Sequence, residues 1–302
     1  MEIVNILNQY NVYIKENIID DVIRQLDDNC LIIKDSNINL NVTSFDINVS
    51  EDNKNLDTVN KLYDYYLENN VNRKSTTIIA IGGGCLLDIV GYSCATFMRG
   101  IRVVYIPTTL LAMVDACVGG KTAINYKGYK NYIGSFYQPE CVVIDQNFLD
   151  TLPIREFNSG MAEVIKYGCI YDKTLLDYLL NDEVDINYII KRSLEIKNHF
   201  ISKDVYDKGL RQALNFGHTY GHAIESYYDF KKYTHGEAIS IGMNLKCSDP
   251  LLKEVCKKYD LPIDLEEDID LDKYLLKDKK NDGQINFIKL KSLGEVDETR
   301  LK

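Results

Sequence analysis

The N-terminal half of the sequence alternates short runs rich in β-branched residues with stretches of helical periodicity. Residues 75–84, STTIIAIGGG, predict a strand that ends in glycines, and residues 86–98 predict the helix that follows it. Further strands are predicted at residues 30–37, 101–109 and 140–146. Strands separated by helices of this length form a parallel sheet with right-handed crossovers.

The pattern changes at residues 151–153, TLP. From residue 155 onward helical periodicity is nearly continuous, with little alternation typical of strands before INFIKL near the end. A chain of 302 residues also exceeds the usual size of one hydrophobic core. We therefore predict an α/β, Rossmann-like domain with a mostly parallel sheet at residues 1–152. A mainly α-helical domain is predicted at residues 153–302.

The charge balance narrows the classes of ligand. The 35 Lys and Arg against 45 Asp and Glu give a net charge of −10, and no long basic run interrupts it, which argues against nucleic acid. A chain this acidic must gather its cations locally if it binds an anionic ligand. It has no apolar run that could span a membrane and no leader, so we expect a cytoplasmic protein. Its eight cysteines are scattered without a C-x-x-C pair and are predicted to be free, buried thiols.

Residues 81–88, IGGGCLLD, place three glycines after a predicted strand. A glycine turn lets a phosphate approach the N-terminus of the following helix. Leu87 stands where a G-x-G-x-x-G motif has its third glycine, so a structural turn is the alternative to a nucleotide site. Asp88 fits both interpretations, because the helix dipole favours a carboxylate in the first turn.

Residues 106–136 carry hydroxyls and cations that are predicted to lie on loops. Thr108 follows a strand, Lys121 follows two glycines, and Lys130 and Asn131 lie in a tyrosine-rich loop. Loops at the carboxyl ends of parallel strands bind the ligands of open α/β sheets. The alternative is that these lysines are solvated surface residues.

Glu163 and Lys166 lie three residues apart on one face of a predicted helix. The simplest interpretation is a surface ion pair. The apolar neighbours Met161, Val164 and Ile165 indicate instead that this face points into the protein, where a carboxylate needs a partner such as a metal ion.

The segment RQALNFGHTYGHAIES contains a dense set of polar side chains. Spacings of four, three and four predict that four of them share one stripe of a helix: Arg211, Asn215, His218 and His222. Gly217 and Gly221 reduce helix stability by about 1 kcal/mol each. We therefore expect another segment to pack closely against this backbone.

His235 begins another predicted helix, in the segment YTHGEAIS. A lone histidine there is ordinarily a cap or a surface residue. Together with Glu163 and the pair His218 and His222, it completes a set of two histidines and one carboxylate with an open position. That set is typical of a catalytic zinc site. His199 has no such neighbours and is interpreted as structural.

In these and adjoining segments the chain resembles the 3-dehydroquinate synthase family. The matching segments, in the family's order, are GGGCLLDIVGYSCATFMRGI, IPTTLLAMVDACVGGKTAIN, KNYIGSFYQP, AEVIKYG, RSLEIK, LNFGHTYGHAIE and HGEAISIGM. The resemblance implies an NAD-binding α/β domain, a helical metal-binding domain and a site in the cleft between them. It further implies NAD and one divalent metal ion, zinc or cobalt, as cofactors, an anionic sugar phosphate as substrate, and a homodimer.

The resemblance also assigns roles to individual residues. The implied metal ligands are Glu163, His218 and His235. The implied substrate and catalytic residues are Arg99, Asp115, Lys121, Lys130, Asn131, Lys166, Lys197, Arg211, Asn215 and His222, joined by either Lys279 or Lys280. The implied NAD residues are Asp35, Asn37, Glu51, Lys54, Gly83, Gly84, Asp88, Thr108, Thr109, Lys121, Lys130, Phe148 and Thr151.

The implied reaction converts 3-deoxy-D-arabino-heptulosonate 7-phosphate to 3-dehydroquinate and phosphate in the shikimate pathway, with NAD regenerated in each turnover. Three features depart from the family pattern. Ser50 replaces a usual glycine before a glutamate, Leu87 replaces a common glycine, and the segment between Met243 and Leu261 is shorter.

Three alternatives stay open. Another sugar-phosphate cyclase would use a different sugar phosphate. A metal-dependent polyol dehydrogenase would share the two-domain plan and release NADH. A degenerate member, impaired by the shortened segment, would bind nucleotide without turnover.

Overall fold

A computed structural model describes residues 1–267, 269–275 and 287–301. The chain divides into two compact units, Met1–Leu152 and Pro153–Lys302, where the sequence changes from α/β to helical periodicity. The alternative substrate residues Lys279 and Lys280 lie outside the described residues.

The N-terminal unit is built on a sheet of seven strands. The strands of the unit are β1 (Glu2–Ile6), β2 (Tyr10–Ile14), β3 (Cys30–Asp35), β4 (Phe45–Ile47), β5 (Thr77–Gly82), β6 (Arg102–Pro107), β7 (Lys121–Tyr126), β8 (Tyr129–Phe136) and β9 (Cys141–Ile144). The seven-stranded sheet has the order β1-β2-β9-β6-β5-β3-β4, and only the β1-β2 pair is antiparallel. This confirms the predicted fold class.

Helices α1 (Ile18–Gln25) and α3 (Gly84–Thr96) pack on this sheet, and α2 (Leu56–Glu68) packs on α3. Successive residues of a strand point to opposite faces of a sheet. Both Ile79 and Ala80 of β5 are buried. The central strand is therefore covered on both faces, as is usual for a parallel sheet.

Residues 121–136 form an antiparallel hairpin of β7 and β8, so the predicted loop is wrong. Lys121 begins β7, and Lys130 and Asn131 lie in β8. Buried Thr122 and Ile124 alternate with more exposed residues, which is the period of a half-buried strand. Glycines and lysines around this short pattern obscured it in the sequence.

The C-terminal unit is mainly helical, as predicted. Its helices are α4 (Ile154–Ile170), α5 (Lys173–Leu179), α6 (Ile186–Lys203), α7 (His218–Tyr227), α8 (His235–Lys246), α9 (Pro250–Lys258) and α10 (Asp272–Leu275), and a short hairpin joins β10 (Leu290–Ser292) to β11 (Glu295–Val296). Helix α4 is buried on all sides from Asn158 to Ile170, because α5, α6, α8 and α9 pack around it. Within the described residues, no helix has the length and apolar content needed to cross a membrane.

All eight cysteines are free, as predicted. Only half of them are buried, namely Cys94, Cys117, Cys169 and Cys256, while the others are partly exposed. The prediction of burial was wrong for the remaining four, because an apolar run near a strand or helix end does not guarantee a covered side chain.

Candidate active-site residues

Three helices of the C-terminal unit bring a carboxylate and two histidines together. Glu163 lies midway along α4 and is buried, whereas His218 and His235 are the first residues of α7 and α8. The Nε2 atom of each histidine lies 3.6 Å from Glu163 Oε1. One ligand atom from each residue lies within 4.8 Å of those of the other two.

This donor set fits a divalent metal ion. A tetrahedral ion with bonds of about 2.0–2.1 Å holds neighbouring ligand atoms about 3.3 Å apart, so small side-chain rotations would bring the observed atoms to that spacing. Two imidazole nitrogens and one carboxylate oxygen suit zinc or cobalt and leave a fourth position open. Among the described residues, this group consists of Glu163, His218 and His235, without His222.

The other nitrogen of each histidine faces an acceptor. His235 Nδ1 lies 3.3 Å from Glu225 Oε1, and His218 Nδ1 lies 3.2 Å from the Phe216 carbonyl oxygen. Acceptors at Nδ1 favour the tautomer that presents the Nε2 lone pair to a metal ion. Buried Glu225 was missed in the sequence. The sequence feature that could have indicated it is a carboxylate one helical turn after His222 in a mostly apolar stretch.

The two candidate ligand histidines differ in pKa. Burial, reinforced by the Lys166 ammonium group, lowers the pKa of His218 well below its usual value. Burial acts in the same direction on the pKa of His235, but the carboxylates of Glu225 and Glu163 outweigh it and raise this pKa to about 9. The two pKa values move in opposite directions because the Glu225 carboxylate faces His235, whereas the Lys166 ammonium group acts on His218.

Glycines allow α4, α7 and α8 to approach closely. A Cβ atom on Gly236 would lie 2.1 Å from the carbonyl oxygen of Ser159, and one on Gly242 would lie 2.1 Å from that of Gly217. A Cβ atom on Gly221 would lie 2.5 Å from a side chain of α8. These contacts confirm the predicted close packing at Gly217 and Gly221. They also bring the first turns of α7 and α8 to the same side of α4.

The predicted single helical stripe is wrong. Arg211 and Asn215 lie in a 3₁₀ helix, Leu210–Asn215, and α7 starts only at His218. Gly217 separates the two helices with a φ of 80°, in the left-handed region that favours glycine. The break places the first histidine at the start of a helix instead of in its interior.

Three cations of the C-terminal unit are buried. Lys166, Lys197 and Arg211 are only 1%, 5% and 2% exposed. Lys166 forms an ion pair with Glu163, so this pair lies in the interior and not on the surface. The Asp204 carboxylate accepts hydrogen bonds from the Gly209 and Arg211 backbone N–H groups at 2.7 and 3.1 Å, which fixes the segment that carries Arg211.

In the N-terminal unit, many of the implied NAD residues lie at or after the carboxyl ends of parallel strands. They are Asp35, Asn37, Gly83, Gly84, Thr108, Thr109, Phe148 and Thr151. These strand ends meet at one edge of the sheet, where open α/β sheets bind ligands. The edge is closely packed, since a Cβ atom on Gly83 would lie 3.2 Å from Thr109 Cγ2.

A second group of implied residues surrounds a buried lysine. Lys54, which is 2% exposed, donates from Nζ to Asp88 Oδ2 at 2.5 Å and to Asn131 Oδ1 at 2.7 Å. Lys130 Nζ lies 3.9 Å from Glu51 Oε1. Burial acts to lower the pKa of Lys54, but the carboxylates of Asp88 and Glu51 outweigh it and raise this pKa, so the lysine stays cationic. We refer to these five residues as the lysine cluster.

Arg99 is not brought to the lysine cluster within this unit. It follows the C-terminal end of α3, and the carbonyl oxygen of Gly100 accepts a hydrogen bond from Arg73, which precedes β5. That is the edge of the sheet where β5 begins, opposite the carboxyl ends. Asp115 lies in a π-helical turn after β6, and exposed Lys121 begins β7.

Two sequence profiles of one protein family match the chain. The profile described as 3-dehydroquinate synthase N-terminal matches residues 44–159, and the profile described as 3-dehydroquinate synthase C-terminal matches residues 160–281. The chain belongs to the 3-dehydroquinate synthase family.

Individual relatives agree with membership of the 3-dehydroquinate synthase family. A 3-dehydroquinate synthase from Prochlorococcus marinus (strain MIT 9515) is 43% identical over 284 residues, which cover 86% of this chain and 78% of that protein. A 2-epi-5-epi-valiolone synthase from Streptomyces hygroscopicus subsp. jinggangensis 5008, solved with NAD+ and Zn²⁺ bound, has a TM-score of 0.85 and 23% identity, covering 99% of this chain and 93% of that one. A 2-deoxy-scyllo-inosose synthase, solved with carbaglucose-6-phosphate, NAD+ and Co²⁺, has a TM-score of 0.82 and 24% identity, covering 97% and 93%. The two solved structures show the shared fold.

Two departures from the 3-dehydroquinate synthase pattern are accommodated locally. Ser50 has an extended backbone with a φ of −143°, which needs no glycine, and its N–H donates to Asn53 Oδ1 at 2.7 Å. Leu87 is buried in the core. Close approach to α3 occurs instead at Gly91, where a Cβ atom would lie 2.1 Å from Tyr105 Oη.

Proposed function

We propose that this chain catalyses the conversion of 3-deoxy-D-arabino-heptulosonate 7-phosphate to 3-dehydroquinate and phosphate. The observation that carries the proposal is the convergence of Glu163, His218 and His235 in a chain of the 3-dehydroquinate synthase family. Structures of related cyclases hold NAD+ together with Zn²⁺ or Co²⁺. We extend these cofactors to this chain.

The helical unit would hold the metal ion. A divalent metal ion, when bound, supplies a Lewis acid that polarises oxygen atoms of the substrate. Glu163, His218 and His235 would bind it, and Glu225 would orient His235. The His222 ring centroid lies 5.3 Å from that of His218 and 6.3 Å from that of His235, so we assign His222 to the substrate beside the metal.

The α/β unit would hold the dinucleotide. NAD, when bound, accepts a hydride from the substrate and returns it within the same turnover. Backbone N–H groups at Gly84, the first residue of α3, favour a phosphate, because the start of a helix carries partial positive charge. Lys54 and Lys130 add full positive charges, while Glu51 and Asp88 offer acceptors for hydroxyl groups.

The substrate carries a carboxylate and a phosphate, and the chain as a whole carries −10. Its cations must therefore be concentrated where the anions bind. We assign Lys166, Lys197 and Arg211 to this task in the C-terminal unit, because buried cations bind anions more strongly than solvated ones do. Further substrate residues remain predictions, namely Arg99, Asp115, Lys121, Lys130, Asn131 and Asn215.

A parallel assay tests the proposed reaction. The metal-loaded protein is given NAD with either the heptulosonate phosphate or glucose 6-phosphate, and released phosphate and absorbance of NADH are followed together. We expect phosphate from the heptulosonate phosphate alone and no accumulation of NADH, because the hydride returns to the product. Phosphate from glucose 6-phosphate alone would indicate another sugar-phosphate cyclase, and NADH in proportion to product would indicate a polyol dehydrogenase.

A degenerate, inactive chain is the remaining alternative. It would bind NAD and metal and release no phosphate from either substrate. Against it, the shortened segment between Met243 and Leu261 still contains α9, which packs on α4 and α5. None of the three candidate metal ligands lies in that segment.

We also propose that the chain forms a homodimer and acts in the cytoplasm. Sedimentation of the purified protein tests the first proposal, and a monomer at micromolar concentration would contradict it. Fractionation of cells that express the protein tests the second.

A further inference from the structure

We propose that Asn125 is a positioning residue that couples the implied NAD residues of the N-terminal unit to the implied substrate residues of the β7-β8 hairpin. The inference rests on the proposed function for the identity of the two ligands. Asn125 is the last residue of the segment IPTTLLAMVDACVGGKTAIN, but the resemblance assigns it no role.

Asn125 uses nearly all of its polar groups on two neighbouring segments. Its side-chain Nδ2 donates to the Glu51 carbonyl oxygen at 2.9 Å and to Glu51 Oε2 at 3.0 Å. Its Oδ1 accepts from the backbone N–H of Asn131 at 2.8 Å. Its own backbone N–H donates to the Lys54 carbonyl oxygen at 2.7 Å. One side chain thus joins the 3₁₀ turn at Glu51 to the hairpin.

The hairpin has an irregularity at this point. The ladder pairs Ile124 with Ile133 and then Tyr126 with Tyr129, so one residue of β7 faces three residues of β8. Asn131, one of those three, has a φ of 51°. Such bulges aim side chains in directions that a regular strand does not allow. Here the Asn125 side chain takes over the hydrogen bond that the ladder gives up.

These contacts connect the side chains of the hairpin and of the lysine cluster in one network. Asn125 holds the backbone of Asn131, and the Asn131 side chain accepts from Lys54 at 2.7 Å. Lys54 in turn donates to Asp88, while Glu51 faces both Asn125 and Lys130. The implied NAD residues and the implied substrate residues of this hairpin therefore share one scaffold.

Asparagine is the residue type that this position needs. The amide supplies two donor hydrogens for the two Glu51 oxygens and an acceptor for the Asn131 N–H. Aspartate keeps the acceptor, loses both donors and places a negative charge against the Glu51 carboxylate. Alanine loses both functions. Asn125→Asp therefore tests the contacts with Glu51. Its comparison with Asn125→Ala tests the contact with the Asn131 backbone.

The test compares Asn125→Asp and Asn125→Ala with Asn11→Ala. Asn11 is the matched control, because it lies in a strand of the same unit and accepts from Asn5 Nδ2 at 2.8 Å away from the lysine cluster. For each protein, the dissociation constant of NAD is measured by calorimetry, and kcat and KM are measured with the heptulosonate phosphate. All measurements are made well below the unfolding temperature of the least stable variant.

We expect the two Asn125 substitutions to affect the NAD dissociation constant and the substrate KM to different extents. Asn125→Asp weakens NAD binding by about ten-fold or more and changes the substrate KM less, because Glu51 is repelled while the Asn131 backbone stays held. Asn125→Ala raises the substrate KM more than Asn125→Asp does. Asn11→Ala leaves both constants within about two-fold of the unsubstituted protein. If both Asn125 variants behave like Asn11→Ala, the proposal is wrong.

A readout without ligands separates this proposal from the proposed function. Amide hydrogen exchange at Asn131 is expected to accelerate in Asn125→Ala and to stay slow in Asn125→Asp, whichever substrate the chain uses. An unsubstituted protein that neither binds NAD nor releases phosphate would contradict the proposed function alone. Equal exchange at Asn131 in all four proteins would contradict the positioning role.

Discussion

The two units hold their candidate residues by different physical means. In the C-terminal unit, Glu163, His218 and His235 project from helices whose distance is set by glycine contacts between backbones. In the N-terminal unit, the lysine cluster is assembled from a 3₁₀ turn, α3 and a bulged hairpin. Its geometry depends on side-chain hydrogen bonds made by Lys54 and Asn125.

This difference has consequences for substitution. A site built on packed helices tolerates loss of a polar contact and is sensitive to added volume, because the backbone fixes the side chains. A site built on hydrogen bonds between irregular segments is sensitive to loss of a single donor or acceptor. Substitutions that add volume and substitutions that remove a hydrogen bond should therefore affect the two sites differently.

The largest effect is expected on metal binding. Glu163→Ala and His235→Ala each remove a ligand and should weaken metal binding by more than about 1,000-fold, since even residues behind the ligands contribute 10- to 100-fold. His222→Ala is the control, which should keep the metal ion and lose turnover. Mass spectrometry of the purified proteins measures their metal content. A metal-free His222→Ala protein would overturn the assignment of ligands.

The next largest effect tests the hydrogen-bonded site. Lys54→Met removes the buried cation between Asp88 and Asn131 and should lower the free energy of unfolding by about 3 kcal/mol. Lys15→Met is the matched control, because both partners of its ion pair with Asp21 are exposed to solvent and its loss should be much smaller. Urea denaturation compares the two variants. Equal losses would show that the lysine cluster does not hold its part of the unit together.

Added volume should damage the helical site. Gly236→Ala forces a Cβ atom against the backbone of Ser159 in α4 and should cost about 2 kcal/mol, after the gain in helix propensity is subtracted. Gly128→Ala meets no atom within 4 Å, and its φ of 82° limits the cost to strain of about 1 kcal/mol. Denaturation and metal titration are both needed. Only Gly236→Ala should also weaken metal binding, and unchanged metal affinity there would contradict the role of the glycine contact.

A smaller effect is expected behind the metal ligands. Glu225→Ala removes the acceptor at His235 Nδ1 and should weaken metal binding by about ten-fold. Glu225→Gln keeps an acceptor oxygen and should lose less. Glu195→Gln, on the outside of α6 beside Arg192, is the control for a lost carboxylate. Both variants remove the carboxylate charge, so equal losses of metal affinity in Glu225→Gln and Glu225→Ala would show that the charge outweighs the hydrogen bond there.

The smallest effect concerns the hydrogen-bonded turn that carries Arg211. Partial burial acts to raise the pKa of Asp204, but backbone N–H groups of Lys208, Gly209 and Arg211 outweigh it and lower this pKa. Since the folded pKa is below the unfolded one, this stabilisation is present above the unfolded pKa and is lost as pH falls through the folded value. Asp204→Asn should cost about 1 kcal/mol near neutral pH.

The difference between Asp204→Asn and the unsubstituted protein should then shrink below about pH 3. Urea denaturation at both pH values measures it. A loss that is the same at both values would mean that the carboxylate charge does not stabilise this turn.

Much of the fold was predictable because periodicity is local. Strands β3, β5, β6 and β9 and the change to helices near residue 153 all appear as runs in the sequence. Strands β1 and β2 were not predicted, because each is only five residues long and has an asparagine at a less buried alternate position, so neither is a continuous apolar run. The β7-β8 hairpin was missed for a similar reason. The order of strands in the sheet is not a local property, so no window of sequence contains it.

The candidate site was predictable as a set of residue types. Residue spacing alone did not determine which histidines join Glu163, because the three candidate ligands come from three separate helices. A helix drawn through residues 211–226 makes His218 and His222 equivalent, with the same spacing and the same face. The left-handed conformation at Gly217 removes that equivalence, since it starts α7 at His218.

The amino-acid sequence alone determined the fold class, the positions of the glycine turns, and the residue types suited to a metal ion, NAD and an anionic substrate. Three-dimensional packing placed His218 beside Glu163 and His235, which the family resemblance implied and residue spacing left open. It also brought Glu225 to His235 and joined Asn125 to both Glu51 and Asn131. The physical reason is range: backbone preference acts over a few residues, whereas these choices depend on distances between segments that are far apart in the chain.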